Sequence, residues 1–129
     1  VQIEIKLIFL LQFYSSVLSV SSENVTSITI PVDEIFSLTE SVLDDLYITS
    51  SEAEQFNIYF HLHNEYVYLK NANYVRETAY VCYLISYYLF ISLPPPHSEE
   101  IALEFIQEAI NLDACEKYTK WLDIVKSGN

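Results

Sequence analysis

Few residues in this chain are of types that do chemistry, and their spacing decides what they can do. His61 and Glu65 stand four apart in a helical pattern, so an imidazole and a carboxylate share one face. The pair would begin a metal site only with a third ligand, and no second set of His plus carboxylate is evident elsewhere. The other reading is an imidazole hydrogen-bonded to a carboxylate. Asp44 and Asp45 are adjacent, point to different sides of a helix and lack an apolar pocket, which suits them poorly to paired acid and base work. The remaining histidines are His63 and His97, and there is no Gly-x-Ser-x-Gly elbow and no His-Glu-x-x-His. One glycine in the whole chain also argues against a phosphate-cradling loop. Cys82 and Cys115 lack metal-ligand spacing and read as buried free thiols of a reducing, cytoplasmic compartment. The expectation is a protein without cofactor or metal, and not an enzyme.

Residues suited to recognition are more plentiful. Between Lys6 and Lys70 there is no Lys or Arg, while Asp33, Glu34, Glu40, Asp44 and Asp45 crowd one predicted helix within that interval. Tyr80, Tyr83 and Tyr87 repeat at i, i+3 and i+7 on another. Such a row is either the wet edge of a core, with rings buried and hydroxyls in water, or a recognition surface. These acidic and tyrosine residues form the candidate partner-binding set. Over the whole chain 18 acidic residues oppose 6 basic ones, for a net charge of -12. Direct contact with nucleic acid or an anionic membrane is disfavoured by that sign, and a basic or amphipathic protein partner is suited to it. Acidity that only keeps an apolar chain in solution is the alternative.

The elements that must hold these residues read as helices. At 129 residues, half of them hydrophobic, the chain suits one domain with a proper core. Its centre is the stretch from Tyr74 to Phe90, apolar all round from Thr78 onward, which predicts a helix buried on most sides. Ala79, Cys82 and Ser86 line it with small residues that let a neighbouring helix approach closely. Before it, Ile35, Leu38, Val42, Leu43 and Leu46 predict an amphipathic helix over Val32 to Tyr47. Ser51 with Glu54 predicts a capping box for the next, which runs to a turn at Asn71 to Asn73. After it, consecutive prolines force a stop, Ser98 is expected to cap a fifth helix, and a break at Asp113 leads to a last one carrying Tyr118, Trp121, Leu122 and Val125, with Gly128 as its stop.

The first residues leave three readings open. Val1 to Leu7 alternate like a strand, a longer 4-3-1-3-3-1 spacing through Leu18 favours a helix, and Lys6 before an apolar run with small residues at Ser19 and Ser21 fits a signal segment. Position 1 is Val and the chain has no Met, compatible with a non-Met start, a processed terminus or a trimmed chain. No stretch reaches the uninterrupted apolar length of a transmembrane helix.

Ser86, Ala102 and Ala109, with the run IALEFIQEAINLD from Ile101 to Asp113, resemble a tetratricopeptide-type helical hairpin. That family sets small residues where its paired helices cross and commonly ends its second helix in Leu-Asp-Pro. Here Ala114 takes the place of the proline, the connection from Pro94 to His97 is longer than the family's, and Cys82 stands where a Trp is often found. The likeness covers one copy, about residues 79 to 113, and implies protein binding through a helical surface. The fold expected is therefore all-α, a single-domain bundle of about six helices. The function expected is a non-catalytic interaction module: an adaptor, assembly factor or subunit. An acidic inhibitor of a basic enzyme, such as an immunity protein or nucleic-acid mimic, is the alternative, and homo-oligomerisation is compatible with both.

Overall fold

The computed structural model describes residues 30–93 and 95–128, so the strand, helix and signal readings of the N-terminal stretch lie outside the described residues. A 3-10 helix, Val32–Ser37, is followed by α1 (Glu40–Thr49), α2 (Glu52–Asn71), α3 (Val75–Tyr87), α4 (Ser98–Leu112) and α5 (Glu116–Ser127). A π-helical turn, Tyr88–Ser92, continues α3 without a break. No strand occurs among the described residues, and the architecture is all-helical.

The expected helix over Val32 to Tyr47 is two elements. The apolar spacing Ile35, Leu38, Val42 runs across the join and hides it, but Leu38 is extended (φ -77°, ψ 100°) and the Thr39 side chain accepts from the Val42 amide to start α1 afresh. The Tyr80 hydroxyl fixes the break by donating to the Leu38 carbonyl at 2.7 Å. The capping box at the head of α2 is present: Ser51 Oγ accepts from the Glu54 amide at 3.3 Å and donates to the Glu54 carboxylate at 3.0 Å.

At its far end α2 closes on Asn73 in the left-handed region (φ 65°), with the Tyr74 amide donating to Leu69 O at 3.0 Å. Asn is one of the few residues that tolerate that conformation, which explains its place in the turn. Ser98, expected as the cap of α4, is instead its first residue, and His97 precedes it with φ 63° and an Nδ1 contact to the Glu100 carboxylate at 2.7 Å.

α3 is the axis of the molecule. Every residue from Thr78 to Ser86 is buried, because α2, α4, α5 and the 3-10 helix all cover it. The small strip brings α4 close: Ala79, Cys82 and Ser86 are fully buried, as are Ala102, Ile106 and Ala109 of α4. Ser86 Oγ donates to the Ala102 carbonyl at 2.7 Å and itself accepts from the Trp121 indole N–H at 2.9 Å, so one hydroxyl ties α3, α4 and α5 together. Cys82 is buried as expected, and burial pushes its thiol pKa up; Cys115 is exposed, contrary to expectation, because it lies in the α4–α5 turn.

α2 meets α4 through edge-on contacts of Phe105 with His63 and Tyr66. Beside them the Glu108 carboxylate accepts from the Tyr66 hydroxyl at 2.8 Å and from Lys70 at 3.0 Å. No helix among the described residues is long and apolar enough to cross a membrane.

Candidate functional site

The tyrosine row and the acidic helix, read as separate features of the sequence, meet in the fold. Tyr80 and Tyr83 are buried and Tyr87 is half-buried, all three between α3, the α1 side and α5. Two of the hydroxyls find partners within the fold. Tyr80 bonds Leu38 O, and Tyr87 donates to the Asp44 carboxylate at 3.0 Å. Burial and then Asp44 push the Tyr87 pKa up to about 12, and burial first, then Glu40, raises that of Tyr83.

Lys117 of α5 reaches Glu40 at 3.2 Å with its ammonium 4.8 Å from the Tyr83 ring centre. Tyr83 also stacks on Tyr118 at 5.4 Å, and Trp121 receives Tyr83, Tyr87 and Phe90 around its indole. The row is thus a packing layer, with Glu40 and Asp44 committed to it.

The other acidic candidates stand apart from that layer. Asp33 and Glu34 lie in the first turn of the 3-10 helix, and Asp45 is exposed on α1. The buried carboxylate of this region is Glu65, whose Oε1 accepts from the Ile30 amide at 2.7 Å. Its Oε2 has no hydrogen-bond partner among the described residues, and desolvation raises its pKa to about 7. Burial likewise lowers the pKa of His61. No group of three His, Cys, Asp or Glu side chains is placed to hold a metal among the described residues.

The sequence did not reveal a groove that opens beside the acidic segment. It measures about 400 Å3 and is lined by Tyr47 from the end of α1, Glu52, Gln55 and Phe56 from the first turns of α2, and Leu93 and Pro95 after the π turn. Gln55 builds its inner wall: the side-chain amide donates to Tyr47 O at 3.0 Å and Ser50 O at 3.2 Å, satisfying the end of α1. Its own carbonyl accepts from the Tyr88 hydroxyl at 2.6 Å. The wall is therefore pinned from both sides.

Signals for the groove were present but ambiguous. Phe56 sits off the core face of α2, and the prolines hold the connection extended past it. Neither shows, without the fold, that the two are neighbours.

No family model matches the chain, and neither a curated protein nor a solved structure matches it.

Proposed function

We propose that the chain is a non-catalytic protein-interaction module that takes a basic, amphipathic segment of a partner at the groove between α1, α2 and the proline connection. The observation that carries this reading is the groove itself: Tyr47, Phe56, Leu93 and Pro95 supply its apolar lining, Glu52 and Gln55 its polar lining. The α1 and α2 residues among them come from the interval Leu7 to Leu69, which contains no Lys or Arg. An amphipathic helix would bury its apolar side chains against those walls and set its cations toward Glu52 and the nearby acidic residues. Tyr80, Tyr83, Glu40 and Asp44 belong to this reading as the layer that holds α1 in position. The close packing of α3 on α4 through Ala79, Cys82, Ser86, Ala102 and Ala109 fits the same role, as a rigid support. Commitment of Glu40 to Lys117 and of Asp44 to the Tyr87 hydroxyl leaves an acidic row mimicking nucleic acid less well supported than a groove.

The test is fluorescence anisotropy with a labelled synthetic Lys/Leu amphipathic helix. Binding is expected at low salt and weakens about tenfold or more toward about 0.3 M salt. The double variant Glu52→Gln, Phe56→Ser is expected to lose it with its helical circular dichroism unchanged. A peptide that does not bind, or that binds the variant equally well, refutes the assignment.

A further inference from the structure

The outward side of α2 carries a pattern that the core of the described residues does not use. Ala53, Asn57, Phe60, Asn64, Val67 and Asn71 are spaced 4-3-4-3-4. At about 100° per residue they fall within an arc of about 80°. The core residues Ile58, Leu62, Glu65 and Leu69 occupy the opposite side. Phe60 is 59% exposed and Val67 42%, and Ala53, Asn64 and Asn71 are exposed as well. Scattered apolar residues on a surface need no explanation, but a heptad seam of them does.

The charge distribution says what can cover it. From Gln55 to Asn73 the only carboxylate is Glu65, and it is buried. In a chain of net charge -12 this helix face is free of acids. A basic partner finds nothing to pair with there, whereas a second copy meets no like charge. The asparagines are also self-complementary, since each amide both donates and accepts. Asn at alternate seam positions is a known means of fixing register and a two-stranded state.

We propose that α2 is the two-fold interface of a homodimer, its seam packed antiparallel on the same seam of a second copy with Asn64 near the axis. That register sets Asn57 against Asn71 of the second copy and Phe60 against its Val67. The direction follows from charge. A parallel pair would align Glu52 and Glu54 of both copies, whereas the antiparallel pair places them at the end where the other copy carries Lys70 and Arg76. One helix of about 30 Å makes a small footprint, so association is weak and concentration-dependent. Salt strengthens it by screening the repulsion between two acidic bodies, the opposite of its effect on the basic peptide.

The experiment is sedimentation of the full chain from about 1 to about 500 μM at low and moderate salt. The mass is expected to rise from 15.0 kDa toward twice that value, more readily at moderate salt. Phe60→Glu is expected to weaken association about tenfold or more while helicity is unchanged. In a Cys115→Ser background, Asn64→Cys is expected to oxidise to a linked dimer and Asn57→Cys is not. A monomer at every concentration and salt overturns the interface, as does self-association that Phe60→Glu leaves intact. Linkage through Asn57→Cys as fast as through Asn64→Cys overturns the antiparallel register.

Discussion

Two side chains concentrate the energetic stakes of the interior. Glu65 is 4% exposed and holds the Ile30 amide with one oxygen. Its value in the fold, about 7, lies above the ordinary 4.5, so the folded state binds its proton more tightly than the unfolded chain does. The stability this contributes is complete below the unfolded value and is lost as pH rises through the folded one, a linkage of roughly 2–3 kcal/mol. His61, lowered by burial, acts in the reverse sense as pH falls below its ordinary value. Glu65→Gln keeps an acceptor for Ile30 and cannot ionise. Urea melts should therefore show the variant close to wild type near pH 4.5 and roughly 1–3 kcal/mol more stable at pH 8. Equal stability at pH 8 would mean that the carboxyl is ionised at ordinary cost.

Ser86 is the second such residue, because its hydroxyl is both donor to Ala102 and acceptor for Trp121. Ser86→Ala leaves only a small gap but strands the Trp121 indole N–H, whereas the Ala102 carbonyl stays within the α4 ladder. The expected loss is roughly 1–3 kcal/mol, read by denaturant unfolding, with a shifted Trp121 emission maximum in the native state.

At the scale of elements, the sequence was most legible where one period ruled a whole segment. The all-round apolar stretch in α3, the amphipathic α4 and α5, the Ser51 box and the Asn73 turn each carry a local signature that packing did not override. The break at Leu38 was not legible, because a 3-10 turn and a following α-turn can present apolar residues at the same i, i+3, i+7 spacing. Only the Thr39 cap distinguishes them, and a lone Thr before Glu40 reads equally well as helix interior. Thr39→Ala should cost roughly 1 kcal/mol in thermal unfolding, as N-cap losses do, whereas a continuous helix would show almost no loss.

The groove was illegible for a different reason. Tyr47, Phe56 and Pro95 come from three elements, and only tertiary packing makes them one surface. Exposure rather than periodicity decided the reading of α2. Apolar residues lie on two of its sides, and among the described residues only the side of Ile58, Leu62 and Leu69 is buried.

For the molecule as a whole, the controlling quantity is charge. A threefold shortfall of cations against acids is not by itself the issue; what matters is that half of the basic residues are gathered in the last thirteen positions. Lys117 answers Glu40 from α5, Lys70 answers Glu108, and Lys120 is taken by Glu116 within its own helix. Exposed pairs of this kind contribute little each, so they leave the net repulsion largely in place. Monovalent salt screens that repulsion over about 10 Å at 0.1 M, which favours the compact state over the expanded one. The thermal midpoint of the wild type should accordingly rise by about 2–6 °C between about 20 mM and about 300 mM sodium chloride at pH 7. The Phe60→Glu variant separates two sources of that rise. If screening within one copy dominates, the variant follows the same curve at every protein concentration. If dimer formation adds to it, the wild type gains more than the variant at high protein concentration and the two converge on dilution. A midpoint that falls with salt would instead mean that the attractive pairs outweigh the repulsion of the acidic surface, and the charge-based reading of both surfaces would fail together.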